Sequence, residues 1–404
     1  MILRETLFEV LRDQRPPVAP GLEVTRAVAR RLPAGNSQHV LVLTGVRRCG
    51  KSILQAQLMR THTGALYLNA EDTRLYGMGP EDFPALIEVI GELAGKHAVY
   101  LDEIQELPGW PRLIRSLLDR GHLLCVTGSN ASLLGRELGA KLTGRHKSFE
   151  VFPFSYSEYL AYNAEEKNVG TLTAYLDHGG FPGYLRERDP QLLQQLLRDI
   201  VERDIAQRHH LRETRHVMNL VLFLFANTGH PLSLQGLTKS LAIPTVHQTS
   251  RYVEFLRDSY LLFTAPKFST SFKKRVVAPN KYYAIDNGLR RANSPNLTPD
   301  VGHRLENAVF LSLRQQGLEP CYAGEKDSWE CDFVTDKLAI QVCANLAPFN
   351  RERELEGVRR ACALPGKRRG LIVTLDQRDK LTVNGTTVDV VPAWDWLDTT
   401  GAKS

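Results

Sequence analysis

The sequence predicts an α/β protein built on a parallel sheet, and three stretches carry that expectation. Residues 40–59 read as an apolar strand, a glycine-rich turn and a helix. Residues 97–103 read as a buried strand ending in two acids, and residues 123–130 as a third strand ending in polar groups. Parallel strands buried on both faces show such continuous apolar runs. A length of 404 residues suggests two to four domains. Hydrophobic residues at 43% and charged residues at 24% exclude disorder or a fibre as the main state. The chain lacks an apolar run of roughly 18 residues, so no membrane-spanning helix is expected. The opening MILRETLFEVLRD, with Arg4, Glu5 and Arg12, does not read as a secretory signal. The six cysteines, at 49, 125, 321, 331, 343 and 362, form no CxxC pair. Reduced thiols and a cytoplasmic location are the expectation.

The first strand, Val40 to Leu43, leads into Gly45, Val46, Arg47, Arg48, Cys49, Gly50, Lys51 and Ser52, followed by Ile53. This fits G-x-x-x-x-G-K-[ST]. The glycines let successive N–H groups turn toward phosphate oxygens, Lys51 supplies a point charge for the β- and γ-phosphates, and the Ser52 hydroxyl suits Mg²⁺. The helix from Ile53 adds its positive N-terminal end.

The second strand ends at Asp102 and Glu103. Asp102 is placed to hold Mg²⁺ through water, and Glu103 to polarise an attacking water. The third strand ends in Thr127, Ser129 and Asn130, polar groups able to reach a γ-phosphate or the lytic water. Arg145, in Leu142-Thr-Gly-Arg145, could complete a neighbouring subunit's site by offsetting transition-state charge. Guanine recognition would call for Asn-Lys-x-Asp. The chain's Asn280-Lys281 is followed by Tyr282 and Tyr283, so ATP is the expected nucleotide.

The stretches TGVRRCGKS, VYLDEIQELPGW, VTGSNASLL and LTGRHKSFEVFPFSYSEYL resemble the AAA-type P-loop ATPases of bacteria and archaea that carry a C-terminal restriction-endonuclease-like domain of uncharacterised role. HGGFPGYL, LRDIVERD, YYAIDNGLR, HRLENAVFLSL and ECDFV extend the resemblance over about residues 35 to 395. The resemblance implies Lys51 and Ser52 in Walker A, Asp102 and Glu103 in Walker B, Asn130 or Ser129 as sensor, and Arg145 as arginine finger. Cys49 stands where a small or β-branched residue is common, without disturbing phosphate binding. The implied domains are an AAA+ core with an N-terminal helix at 1–150, a helical lid at 151–210, a winged helix-turn-helix at 211–295, and the endonuclease-like α/β domain at 296–404.

In the lid segment, Phe152, Phe154, Tyr156, Tyr159 and Tyr162 read as core packing against the ATPase, Gly179-Gly180-Phe181-Pro182 as a turn, and residues 190–206 as a helix. Further on, residues 214–228, SLQGLTKSLAI with Leu234, Leu237 and Leu241, and the segment from Val246 read as three helices. KFSTSFKKRVVAPNKYYAID reads as two strands around a basic loop, which completes a winged helix. Residues 206–295 hold 13 Lys and Arg against four acids, a balance of +9 in a chain of net +6. Thr245, His247, Gln248, Ser250 and Arg251 on the second helix, with Lys267, Lys273, Lys274 and Arg275 on the wing, are phosphate-type DNA contacts.

In the last domain, Glu306 and Asp332 resemble the acids of a nuclease site. Its Glu-x-Lys pair is replaced by Gln341-Val342-Cys343. Gln341 brings no charge to a metal and Cys343 no ammonium, so the domain is expected to be inactive. The functional expectation is Mg²⁺-dependent ATP hydrolysis coupled to sequence-nonspecific or structure-selective DNA binding. It includes a homo-oligomer (a hexameric ring among the forms implied) whose subunits share sites through Arg145, and no membrane partner. The alternative is a nucleotide-controlled switch that binds a protein partner, and a nuclease stands third.

Overall fold

A computed structural model of the chain describes all residues except 1, 20, 22, 34–38, 96, 130–143, 295–299, 326–327, 367, 384 and 400–404. It divides into two compact units. The first comprises Met1–Phe152 with Asp258–Tyr260, and the second Pro153–Arg257 with Leu261–Ser404. Among the described residues, no helix is long and apolar enough to cross a membrane.

The first unit runs α1 (Arg4–Asp13), β1 (Val40–Thr44), α2 (Lys51–Met59), β2 (Leu66–Asn69), α3 (Phe83–Ala94), β3 (Val99–Asp102), α4 (Trp110–Asp119), β4 (Leu124–Gly128) and β5 (His146–Glu150). Its five strands are all parallel, in the order β2-β3-β4-β1-β5. The expected strands at 40, 97 and 123 are therefore neighbours in one parallel sheet, with β4 between β1 and β3. Helix α3 buries Phe83, Leu86, Ile87, Val89, Ile90 and Ala94, the spacing of one apolar helical face. α1 places Leu7, Val10 and Leu11 in the same core, and α4 adds Trp110, Leu113, Ile114 and Leu117. Because β4 separates β1 from β3, the loops after β1 and β3 open at the strands' C-terminal edge, where ligands bind in open α/β sheets.

The second unit begins with a helical layer: α5 (Tyr156–Asn163), α6 (Val169–His178), α7 (Pro182–Glu187) and α8 (Pro190–Asp199), which runs on as π-helix over Ile200–Gln207. Then come α9 (Arg215–Ala226), β6 (Pro231–Leu232), α10 (Leu234–Ser240), α11 (Val246–Asp258), β7 (Leu262–Ala265), α12 (Phe272–Val277) and β8 (Asn280–Ala284). Strands β6, β8 and β7 form an antiparallel sheet in that order. The unit closes with α13 (Asn287–Asn293), α14 (Val301–Gln315), β9 (Cys321–Glu325), β10 (Trp329–Val334), β11 (Leu338–Val342), α15 (Arg351–Cys362), β12 (Arg369–Thr374), β13 (Asp379–Val383), β14 (Thr386–Pro392) and α16 (Ala393–Thr399). The last six strands make one mixed sheet, β13-β14-β12-β11-β10-β9, in which β11-β12 and β12-β14 are parallel.

Two glycine motifs of this unit explain each other. The buried Asp286 carboxylate accepts the Gly180 amide at 2.6 Å and caps α13 through the Leu289 amide at 2.8 Å. A Cβ on Gly180 would stand 2.1 Å from the Phe154 carbonyl oxygen, and one on Gly288 2.0 Å from that of His178. HGGFPG and IDNG are thus two backbones pressed together around one acid, a structural joint.

Three expectations need correction. The basic stretch at 272–277 is helix α12, and the strand before it lies earlier, at Leu262–Ala265. Ser271 caps the Lys274 amide, so FKKRVV begins with a helix signal that outweighs its β-branched end. Lys267 does not sit on a wing. It makes an isolated parallel bridge to Tyr322, and the next residue, Phe268, donates its amide to the Tyr322 carbonyl at 2.7 Å. The aromatic run after residue 152 packs within the second unit: Tyr156 and Tyr159 lie against Tyr175, and Phe154 against Tyr162.

Candidate nucleotide site

Strand β1 delivers the chain into the loop at Gly45. Its φ of +154° and the closeness of Val151, whose carbonyl oxygen lies 2.1 Å from where a Cβ would be, admit glycine alone. Gly50, at φ +100°, turns the chain into α2. Between them Val46 and Cys49 point inward and are buried, Arg47 is half-buried, and Arg48 is exposed at φ +63°. Cys49 Sγ donates to the Val151 carbonyl at 3.2 Å, and burial pushes its thiol above the ordinary range, so it packs as an inert small residue.

The loop is fastened from behind by a residue that sequence reading missed. The buried Arg26 guanidinium donates to the Cys49 carbonyl at 3.0 Å and to the Phe152 carbonyl at 2.5 Å. No local pattern flags Arg26, because both partners are distant in sequence.

Lys51 is buried at the start of α2, and its ammonium donates to the Gly45 and Val46 carbonyls at 3.1 and 3.2 Å. Ser52 and Ile53 follow on the same first turn, half-buried. Lys51 Nζ also lies 3.8 Å from Glu103 Oε1. The loop and the acid-ending strand therefore meet, as their sequence order implied.

Asp102 ends β3 and is buried. Its Oδ2 accepts the Tyr67 hydroxyl at 2.7 Å, and its Oδ1 accepts the Thr127 hydroxyl. Thr127 Oγ1 in turn accepts the Glu103 amide at 3.0 Å. One threonine on β4 thus fixes both acids. Burial and the neighbouring Asp102 charge push the Tyr67 phenol far above its ordinary range, so it remains a donor. Glu103 adopts φ +48°, a left-handed conformation uncommon outside glycine and asparagine, which swings its side chain off the strand line. Its Oε2 accepts the Gln105 amide at 2.6 Å. Glu71, after β2, lies 3.9 Å from Arg47, and burial followed by the Glu103 charge raises its carboxyl.

Ser129 Oγ, just past β4, is buried and, among the described residues, has no hydrogen-bond partner. Such an orphan at a strand's C-terminal end is available to a ligand. Asn130 lies outside the described residues. Arg145 stands at the opposite end of the sheet: its carbonyl accepts the Val40 amide at 3.0 Å, and its half-exposed side chain pairs with Asp119 at 2.9 Å. Five strand residues, roughly 15 Å, separate Val40 from the loop, so Arg145 cannot reach its own loop.

The donor set suits a magnesium–nucleotide complex: a buried ammonium, a hydroxyl one residue on, a fixed carboxylate and a glycine-turned backbone. Comparison with known proteins supports nucleotide binding. Residues 37–160 match the family model described as "AAA domain". The chain carries an AAA domain, of the P-loop superfamily. Residues 170–299 match a domain of unknown function. An uncharacterized protein of Methanocaldococcus jannaschii is 28% identical over 98% of this chain and 96% of its own length. An uncharacterized protein of Haemophilus influenzae is 28% identical over 90% of this chain and 95% of its own. The AAA domain contains every described residue of the loop and both acids.

The remaining sequence candidates lie in the second unit. Thr245 Oγ1 accepts the Gln248 amide at 3.1 Å and caps α11. Thr245, His247 and Arg251 are exposed, while Gln248 and Ser250 are half-buried and Gln248 donates to the Tyr252 hydroxyl. Lys273, Lys274 and Arg275 are exposed together on α12. Glu306 and Asp332 do converge, and both accept the ammonium of Lys281, at 3.2 and 3.0 Å. Gln341 beside them donates to Glu354 at 2.8 Å. Cys343 is buried, and burial pushes its thiol up to about 12.

Proposed function

We propose that this protein hydrolyses ATP with Mg²⁺ and couples the turnover to DNA binding, in a homo-oligomer whose subunits share active sites through Arg145. The observation that carries the reading is the meeting of Lys51 with Asp102 and Glu103 at one edge of a parallel sheet, where Thr127 holds both acids. Ser52 and, through water, Asp102 would hold Mg²⁺, which would supply positive charge to the phosphate oxygens. The loop amides from Val46 to Ile53 cradle the phosphates, and Lys51 exchanges its two loop carbonyls for phosphate oxygens. Glu103 orients a water and takes its proton as the oxygen bonds to the γ-phosphorus and the bond to the β–γ bridging oxygen breaks. Ser129 or Asn130 senses the γ-phosphate. Arg145, remote from its own loop, offsets the charge developing on a neighbour's nucleotide.

The DNA reading rests on the order α9-β6-α10-α11-β7-β8 with the sheet β6-β8-β7, which supports a winged helix. Its exposed polar and basic groups, Thr245, His247, Arg251, Lys273, Lys274 and Arg275, suit phosphate contacts. The order α14-β9-β10-β11-α15-β12 supports an endonuclease-like last domain that lacks the Glu-x-Lys pair.

Phosphate release from ATP, measured with and without duplex DNA, tests the proposal. Lys51→Ala loses nucleotide affinity and Glu103→Gln loses turnover while still binding ATP. Turnover that ignores DNA, in a protein that does not bind it, replaces the motor by the nucleotide-controlled switch.

A further inference from the structure

In the second unit a cavity of about 1060 Å³ opens between β8, α14 and the β10–β11 pair. Its floor holds a buried ammonium. Lys281, on β8, is 1% exposed, and its Nζ lies 2.5 Å from Glu330 Oε1, 3.0 Å from Asp332 Oδ1 and 3.2 Å from Glu306 Oε1. Three carboxylates from two elements therefore converge on a single cation supplied by a third. Two of the three, Asp332 and Glu306, are also held by other partners. Asp332 Oδ2 accepts the Val342 amide at 2.9 Å, Glu306 Oε1 accepts the Tyr283 hydroxyl at 2.7 Å, and the amide of Asp332 donates to Gln341 Oε1. The Lys281 ammonium also lies 5.7 Å from the centre of the Tyr322 ring.

Distances of 2.5–3.2 Å from three oxygens to one point describe the surroundings of a bound cation. A divalent ion could draw on these same oxygens only by taking the position Nζ holds. Among the described residues, no three His, Cys, Asp or Glu side chains are placed to hold a metal ion. A buried ammonium and its carboxylates stabilise one another only as a set, since removing either leaves the other charged and unpaired.

We propose that Lys281 is the resident cation of this carboxylate cluster, a built-in plug that closes the cavity to divalent metal ions for as long as β8 stays docked against α14 and β10. The plug comes from the segment matched by the domain of unknown function, and its partners come from the sheet that follows. The inference rests on this cluster alone and stands apart from the nucleotide reading.

Mn²⁺ binding to the full chain without nucleotide, counted by electron paramagnetic resonance, tests it. Wild type and Asp332→Asn bind equal numbers of Mn²⁺. Lys281→Met gains one Mn²⁺ per chain, the gain disappears in Lys281→Met/Asp332→Asn, and Mn²⁺ raises the melting temperature of Lys281→Met but not of wild type. A wild-type Mn²⁺ site that Asp332→Asn removes overturns the proposal, as does a folded Lys281→Met that gains none. Should Lys281→Met not fold, Lys281→Gln takes its place with the same expected gain of one Mn²⁺ per chain, and a folded Lys281→Gln that gains none overturns the proposal.

Discussion

Gln105 donates its side-chain amide to Glu103 Oε2 at 2.6 Å, while the other carboxylate oxygen of Glu103 lies 3.8 Å from Lys51. The acid assigned to orient water is thus held on one side by a neutral donor two residues along and faces the phosphate-binding ammonium on the other. Gln105 acts through Glu103 and is a positioning residue. Gln105→Ala is expected to lower kcat on the order of 10-fold, about 1.4 kcal/mol of barrier, with KM for ATP nearly unchanged. Steady-state hydrolysis separates the two constants. An equal loss in affinity would make Gln105 a general support of the loop.

Arg145 sits at the far end of the strand that feeds its own loop, paired with the exposed Asp119. Arg145→Ala is expected to cut hydrolysis by roughly 10³-fold or more while leaving ATP affinity intact. Mixing Arg145→Ala with Lys51→Ala subunits restores part of the activity, because each supplies what the other lacks. Asp119→Ala shifts stability by less than about 1 kcal/mol, since exposed ion pairs contribute little.

Asp286 joins two backbones that lie 106 residues apart through its bond to Gly180. Asp286→Ala strips the Gly180 and Leu289 amides of their acceptor and is expected to cost about 2–4 kcal/mol by denaturant unfolding. Gly288→Ala forces a methyl to within 2.0 Å of the His178 oxygen and is expected to cost about 2 kcal/mol or more.

Much of the nucleotide site was legible because its residues lie in short stretches with fixed spacing. Gly45 to Ser52 and the Asp102-Glu103 pair announce their chemistry locally. The parts that hold them do not. Arg26 reaches Cys49 and Phe152, Tyr67 reaches Asp102, and Thr127 reaches both acids across strand pairings that no periodicity reveals. Gly179-Gly180 was visible as a turn, but the acid it shares with the second glycine motif required the fold. FKKRVV reads as part of a basic loop between two strands, and the Ser271 cap makes it a helix. Lys281 entered as one charge in a basic block and as half of an Asn-Lys pair that fails the guanine pattern, and neither reading announced its three carboxylate partners.

Lys273, Lys274 and Arg275 stand side by side in solvent on α12. Replacing all three by alanine is expected to weaken duplex DNA binding at low salt and to flatten the plot of log K against log salt by about two to three. Gel-shift titrations over a salt series measure both. Unchanged affinity and slope would move the DNA contact away from α12.

In the proposed function the loop from Gly45 to Ser52 holds a triphosphate which Glu103 helps to hydrolyse. Titration of a fluorescent ATP analogue in Mg²⁺, paired with phosphate release on the same samples, tests it most directly. Wild type is expected to bind and turn over ATP, Glu103→Gln to bind it without turnover, and Lys51→Ala to do neither. Wild-type protein that binds no adenine nucleotide, or Glu103→Gln that turns over normally, would contradict it.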